Sequence, residues 1–432
     1  MIDQILYYSF YLVPLLVLLG IYLHGRKTHH NESTHTWNEA VESGLTEPPT
    51  LHPTFILSRC IGSGACVTAC PEEAIGIING KANLINPAVC IGHGACEVAC
   101  PMSAIKLVFG TEKRGVDIPQ VSRDFETNVS GIFIAGELGG MGLIRNAVSQ
   151  GRRAMEYIVK RPRGSNDYDV VIVGAGPAGI SASLAASKAG LKFVTIEQED
   201  SLGGTTYHYP RNKIVMTAPM DLPIIGKIKV REISKESLME LWTGVMQKVK
   251  MPIQYNERME DIVRDANGFS VRSSKGTYRA ASVVLAIGRR GVPRKLGVPG
   301  EELPKVVYRL IEAEQYQKQH VIVVGGGDSA LEAALDISNE PGTTVTLSYR
   351  GEAFNRVKIK NRKRLEDAIA AGRLDLVLES QIANIAPKQI KLKKGQGVKV
   401  IPNDAVIVCA GGELPTPFLK RIGVLVDTRR GS

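Results

Sequence analysis

Asp169-Val-Val-Ile-Val-Gly-Ala-Gly-Pro-Ala-Gly179 decides the fold. Val170 to Val173 has the unbroken apolar pattern of a buried strand. Gly174, Gly176 and Gly179 follow at the G-x-G-x-x-G spacing, and Ile180 to Ala189 continues as a helical run. A second apolar strand, Phe193 to Ile196, ends at Glu197. A lone glycine triplet is a weak signal, but strand, glycines, helix and acid together form the dinucleotide-binding fingerprint. The glycines allow a tight turn and let backbone approach a pyrophosphate at a helix N-terminus, and the acid binds ribose hydroxyls.

The arrangement recurs. Val321-Ile-Val-Val324 leads into Gly325-Gly-Gly327-Asp-Ser-Ala330, with alanine at the third small position. The next strand, Thr344 to Ser348, ends in Tyr349-Arg350, with Arg356 close behind and no acid at its end. An acid there suits the 2′-hydroxyl of NAD, whereas arginine suits a 2′-phosphate. NADP is therefore favoured over NAD, with surface pairing as the alternative role of these arginines.

Upstream lies a repeat. Cys60-Ile-Gly-Ser-Gly-Ala-Cys66-Val-Thr-Ala-Cys70-Pro71 returns thirty positions on as Cys90-Ile-Gly-His-Gly-Ala-Cys96-Glu-Val-Ala-Cys100-Pro101. This resembles the two-cluster bacterial ferredoxins, with their C-x2-C-x2-C-x3-C-P runs. In that family the fourth cysteine of each run ligates the other cluster. The resemblance thus implies one cluster on Cys60, Cys66 and Cys100 and another on Cys90, Cys96 and Cys70. The second cysteine of each run is replaced, by Ser63 and by His93. Each cluster then has three thiolates and is expected as 3Fe-4S or 4Fe-4S. His93 is either a fourth ligand or a solvent-facing loop residue. The C-x5-C-x3-C spacing is not a usual zinc-finger spacing.

The two nucleotide folds resemble the thioredoxin-reductase-like flavoproteins. Ser282-Val-Val-Leu-Ala-Ile-Gly288 and Ala405-Val-Ile-Val-Cys-Ala-Gly411 look like the two crossover segments of that family. The resemblance implies FAD at the first fingerprint and pyridine nucleotide at the second. The redox cysteine pair of the family is missing, because Val306 to His320 contains no cysteine. Gly203 to Pro210 and Tyr349 to Phe354 are similar to relatives lacking that pair, including bacillithiol-disulfide-reductase-like proteins and ferredoxin–NADP reductases of this fold. Such flavoproteins close with a strand, Ala-Gly-Asp and a helix. Here that element stands upstream: Thr127 to Ala135, Gly136-Glu137, then Leu143 to Ile158 with small residues at Ala147, Gly151 and Ala154. The flavoprotein part therefore resembles a circular permutant. The permutation joins the ferredoxin-like segment to the flavin-closing segment through a short connection, Gly110 to Gly115.

The chain has 432 residues, enough for two or three cored domains, and a formal net charge of +10. No nucleic-acid motif accompanies that charge. Lys388, Lys391, Lys393, Lys394 and Lys399 are expected on an exposed hairpin. Six of seven cysteines cluster between Cys60 and Cys100, which points to metal and a reducing compartment. Ile5 to Leu23 carries no charged side chain and approaches the ~20 residues that span a bilayer. Arg26 and Lys27 follow it, and positive residues stay on the cytoplasmic side.

The expected fold class is α/β. It has two Rossmann-type nucleotide-binding domains (thioredoxin-reductase-like, circularly permuted), an α+β ferredoxin-like domain and one N-terminal transmembrane helix. The expected order is an anchor (1–25), a linker (26–54), the ferredoxin-like domain (55–109) and the permuted FAD-closing segment (110–160). The FAD-binding domain (165–293), the NAD(P)-binding domain (294–412) and a return to the FAD domain (413–432) follow. The expected function is electron transfer between NADPH, FAD and two iron–sulfur clusters, in either direction. Its partner would be a membrane complex linked to quinone or cytochrome, or a soluble carrier. No residue is nominated as an acid, base or nucleophile. The expected location is the inner membrane with the catalytic domains in the cytoplasm, and a homodimer is left open. The rivals are a reductase of a small disulfide or other organic acceptor, and a non-enzymatic redox or oxygen sensor.

Overall fold

The computed structural model describes residues 2–42, 46–48, 51–90, 92, 94–112, 115–140, 142–162, 166–209, 214–216, 219–229, 232–289, 291–354, 357 and 359–431. The side chains of 2–12, 22, 214, 216, 232, 292, 359 and 360 are outside that description. Cα packing divides the chain into two compact units. One holds residues 1–111 and 295–411, the other 112–294 and 412–432.

The first unit opens with α1 (Ile2–Glu42), one continuous helix of 41 residues. Among the described residues no helix is long and apolar enough to cross a membrane. The expected transmembrane helix is therefore not shown, and the first part of its apolar run lies outside the described side chains. In the described part, Val13, Leu15, Leu16, Val17, Leu18, Leu19, Ile21 and Leu23 are all exposed.

The linker expected over 26–54 is corrected as far as Glu42. Asn31 to Glu42 is polar but holds no proline or glycine to break a helix. It docks on the hairpin formed by Ile75–Ile78 and Lys81–Leu84. The outward N–H groups of such a strand need partners. The Ile77 N–H donates to Ser33 Oγ and the Asn79 N–H to His30 Nδ1, both at 3.2 Å.

The ferredoxin-like part adds the antiparallel pair His52–Phe55 and Ile105–Val108 and two short helices, α2 (Ala65–Thr68) and α3 (Ala95–Ala99). Its small core joins Ile75, Ala82 and Ile105 to the cysteines themselves. Such a core is thin for a domain of this size, which is why metal is expected to hold it.

The second unit is built on a sheet in the order Ile253–Gln254, Phe193–Ile196, Tyr168–Val173, Thr277–Leu285, Gly268–Ser273, Met259–Asp265. Ile132–Ile134 joins it in parallel against Thr277–Leu285, with Val283 opposite Ile132. Helices α4 (Ile144–Ile158), α5 (Pro177–Lys188) and α6 (Lys235–Val249) pack here. The helices α4 and α5 meet through Ala147, Ala154, Ala178 and Ala182, and Ser181 Oγ donates to the Val148 carbonyl at 2.7 Å. The segment placed ahead of the first fingerprint in sequence is thus part of the same sheet and helix layer. The chain returns at its end, where Val426–Arg429 pairs with Val116–Pro119.

The remainder of the first unit is a parallel sheet ordered Val306–Val307, Ala405–Val408, His320–Val324, Thr344–Ser348, Leu374–Val377. The helices α7 (Asp328–Ser338) and α8 (Ile359–Ala370) accompany it. Its central strands are apolar on both faces, as parallel strands under helices are. A three-stranded antiparallel meander (Ser380–Ala386, Gln389–Lys394, Gly397–Pro402) carries the lysine cluster. Lys391, Lys393, Lys394 and Lys399 are exposed on it.

Candidate functional site: two nucleotide folds and a cysteine cage

Parallel strands end together, and ligands of such sheets bind beyond their carboxyl ends. In the second unit those ends are tied in a row. The Ala135 N–H donates to the Leu285 carbonyl at 3.1 Å, Ala286 N–H to Val173 at 2.8 Å, and Gly174 N–H to Ile196 at 2.8 Å. This row brings Gly136, Gly174 and Glu197 to one edge of one sheet. Glu197 is buried and accepts N–H groups from Ala175 (2.6 Å) and Glu199 (3.0 Å). Burial pushes its carboxyl above the ordinary range, although both amides pull it down.

The three glycines of the first fingerprint answer to different neighbours. A methyl group on Gly179 would meet the Gly174 carbonyl oxygen at 1.8 Å, so glycine is required by helix–strand contact. Gly176, at the start of α5, has no such neighbour: the nearest atom to an added methyl is Gly204 Cα at 3.9 Å. The space before α5 is thus open, as a pyrophosphate requires. The Ser201 hydroxyl is buried nearby in sequence without a partner among the described residues. These features fit FAD, which Gly174, Gly176, Gly179, Glu197 and Gly136 would hold. Glu137 is half-buried in the turn after Gly136. The side-chain oxygen of Gln150 accepts the Gly136 N–H at 2.8 Å. Sequence reasoning missed Gln150, whose only signal is its place on α4 beside Gly151.

The second fingerprint repeats this logic. A methyl on Gly325 would meet the Cys409 carbonyl at 2.4 Å, whereas Gly327, before α7, has nothing within 4 Å. Ala330 is fully buried in α7. Tyr349 fills the space beside Gly326 and stacks on Phe354 with ring centroids 5.2 Å apart. The sequence marked the stretch Tyr349 to Phe354 by resemblance but not this stacking, which walls the loop after the second fingerprint's strand. Asn361 of α8 donates to Asp328 and Glu332 of α7, at 2.8 and 2.9 Å, and so ties the two helices together. Arg350 is exposed just past its strand. Arg356 lies outside the described residues.

In the ferredoxin-like part the two copies share one backbone. Gly62 and Gly64 have φ of 68° and 77°, and Gly92 and Gly94 have 72° and 77°. Between the first pair, Ser63 is exposed. His93, its counterpart, lies outside the described residues. The fold gathers the thiols in two interleaved groups. Burial pushes the Cys66 thiol up, and Cys60 and Cys100 add to that. Burial likewise raises Cys90, with help from Cys70 and Glu72. Cys96 is pushed up to about 11, by burial and then by Cys90. Thiols so buried become thiolates only when positive charge is supplied, as iron does. The Ala82 and Ala104 N–H groups point at the sulfurs of Cys60 and Cys100, at 3.4 and 3.3 Å. Among the described residues no three His, Cys, Asp or Glu side chains form a group that could hold a single metal ion. A cluster places several irons between its thiolates, so its ligands stand further apart than those of one ion.

Two fingerprinted nucleotide folds with open glycine loops, in one chain with an interleaved cysteine repeat, define a flavin- and pyridine-nucleotide-dependent oxidoreductase with iron–sulfur centres. A family model for a 4Fe-4S dicluster domain matches residues 52–101, and one for pyridine nucleotide-disulphide oxidoreductase matches residues 171–431. The chain belongs to the pyridine nucleotide-disulphide oxidoreductase family. Bacilliredoxin reductase Bdr of Bacillus subtilis (strain 168) is 27% identical to it, over 60% of this chain and 82% of that protein. A ferredoxin–NADP reductase of Thermus thermophilus is 30% identical, over 60% of this chain and 76% of the relative. The solved structure of bacillithiol disulfide reductase Bdr (YpdA) from Bacillus cereus is similar at 25% identity and a TM-score of 0.50, over 60% of this chain and 82% of that one. The protein is an NAD(P)H-dependent flavin oxidoreductase that uses FAD, NADP(H) and iron–sulfur clusters.

Proposed function

We propose that this chain carries electrons between NADPH and a redox partner at a membrane, by way of FAD and the two clusters. One observation carries the reading. The ferredoxin-like segment runs directly, in chain order, into the strand and helix that complete the flavin fold. Bound FAD supplies the exchange between a two-electron hydride and single electrons. The residues supply position. Gly176 leaves room for pyrophosphate, Glu197 holds ribose, and Gln150 fixes the turn at Gly136. Gly327 leaves room for the second nucleotide, and Arg350 with Arg356 favours a 2′-phosphate. Cys60, Cys66 and Cys100 hold one cluster, and Cys70, Cys90 and Cys96 the other. Each is 3Fe-4S or 4Fe-4S, with His93 as a candidate fourth ligand of the second.

The membrane is proposed from α1. Leu15 to Leu19 are five consecutive exposed apolar residues, so every face of that stretch is apolar. A protein groove would cover one face, whereas lipid surrounds them all. Arg26 and Lys27, after the apolar stretch, support a cytoplasmic side for the following domains. The decisive experiment is anaerobic. NADPH added to protein loaded with flavin and iron should reduce at least one cluster, read by spin resonance of frozen samples. Protein with full FAD but no iron after anaerobic assembly would refute the scheme. Similarity to bacilliredoxin reductase supports a second reading, flavin-dependent reduction of a small disulfide. Full turnover of such a disulfide by a cluster-free variant would establish it.

A further inference from the structure

The two copies of the cysteine repeat share a backbone but not its border. Glu73 and Ser103 occupy equivalent left-handed turns, with φ of 52° and 47°. The segment after Cys70 is Pro71-Glu72-Glu73, and the segment after Cys100 is Pro101-Met102-Ser103. Because the triplets interleave, each tail serves the other copy's site. Glu72 lies in the field of Cys90 in the Cys70–Cys90–Cys96 site, Glu73 follows it in the chain, and Glu97 follows Cys96. Met102 borders the Cys60–Cys66–Cys100 site.

Cations collect on that second border. Arg59 is exposed beside Cys60. The Lys81 amine donates to the carbonyls of Cys60 (2.6 Å) and Leu57 (3.0 Å). Arg26 of α1 reaches over Gly80, where an added methyl would meet its Nη2 at 2.6 Å. Exposure differs in the same sense. Two of this site's three thiols, Cys60 and Cys100, are partly exposed, flanked by Ile61 at 65% and Met102 at 45%, while Cys66 is buried. At the other site only Cys70 is partly exposed, and Cys90 and Cys96 are buried.

We infer that the Cys60–Cys66–Cys100 cluster is the higher-potential centre and the port that exchanges electrons with a small acidic carrier protein. The inference rests on the proposed electron-transfer function and names its exit. Reduction adds negative charge to a cluster, so Arg26, Arg59 and Lys81 favour it. Glu72, Glu73 and Glu97 oppose it at the other site. Electrons therefore settle beside the solvent-exposed edge. Ile61 and Met102 give that edge an apolar centre, and the three cations give it a rim that an acidic surface complements. Each NADPH oxidised releases one proton and two electrons, which leave one at a time and reduce two carriers by one electron each.

The test uses the full-length holoprotein, titrated potentiometrically with mediators and followed by spin resonance, without NADPH. Cys66→Ala and Cys96→Ala assign the two signals. The Cys66 centre should be reduced at the higher potential. Arg59→Glu should lower that centre alone, and Glu72→Gln should raise only the other, with iron content unchanged. Binding is read with an acidic plant-type ferredoxin and a basic cytochrome c as probes. Arg59→Glu should weaken the ferredoxin by about tenfold, and added salt should weaken it in the wild type. Reduction of the Cys96 centre first, unchanged ferredoxin affinity in Arg59→Glu, or tighter binding of the basic cytochrome would overturn the inference. Because the titration omits NADPH, failure of the nucleotide to reduce the clusters would count against the electron-transfer scheme alone.

Discussion

Gly151 of α4 lies so close to α5 that a methyl group on it would sit 2.1 Å from the Ala178 carbonyl oxygen. The two helices touch backbone to backbone at this point. Ala178 is the residue after the proline that begins α5, so the contact sets the position of the fingerprint helix. Gly151→Val should force the helices apart, costing about 1–3 kcal/mol or more by overpacking. Thermal unfolding should show a lower midpoint, and purified protein should carry less flavin. An unchanged midpoint with full flavin would mean that the contact is looser than described.

Gly176 and Gly179 should fail in different ways. Gly179→Ala strikes the Gly174 carbonyl and should destabilise the fold itself. The Cβ of Gly176→Val meets no protein atom closer than 3.9 Å, so the fold should survive while FAD is lost. Circular dichroism and flavin released by acid separate the two. Full FAD in Gly176→Val would show that the pyrophosphate lies elsewhere.

Glu197 makes a pH prediction. Its folded pKa is raised above the ordinary value of 4.5, burial being the largest cause. A raised value favours the fold below 4.5, and that contribution is lost as pH rises through the folded value. In flavin-free protein, wild type should therefore lose midpoint relative to Glu197→Gln as pH rises above 4.5. The glutamine change removes one acceptor from the Ala175 and Glu199 amides, a cost that is constant with pH. A difference that stays flat, or runs the other way, would contradict the burial argument.

Arg350 should favour NADPH over NADH. A hydrogen bond to a charged group contributes about 1.5–3 kcal/mol, so Arg350→Ala with Arg356→Ala should erode the preference by about ten- to a hundredfold. The measurement is kcat/KM for each nucleotide with an artificial acceptor. A wild-type preference for NADH would show that these arginines serve another role.

The two ends of α1 should separate in truncation. Deleting residues 1–25 removes the exposed apolar stretch and should move the protein from the membrane pellet to the supernatant. Arg26 to Glu42 remain, and iron content should hold. Deleting residues 1–42 also removes Ser33 and His30 from the hairpin edge. It should lower iron content, because the thin core around Cys66 and Cys96 loses its support. Equal iron in both truncations would make the docked half of α1 dispensable.

Much of this molecule is written locally. The strand–glycine–helix–acid order around Gly174 and around Gly325 is set by steric demands that only glycine or alanine meets, so both nucleotide folds were legible. The small positions Ala147, Gly151 and Ala154 likewise marked the displaced helix, since close helix contact admits nothing larger. The cysteine repeat carried its own pairing by resemblance. Other features needed the chain to fold back on itself. Polar residues from Asn31 to Glu42 look like a tether, because composition does not reveal that a hairpin edge elsewhere will accept Ser33 and His30. Gln150 holds Gly136 only because α4 turns back beside its own strand. The charges of Glu72 and Lys81 are plain in the sequence, but the cluster each one faces is not. Only the tertiary structure brings Glu72 into the field of Cys90 and seats the Lys81 amine on the Cys60 carbonyl.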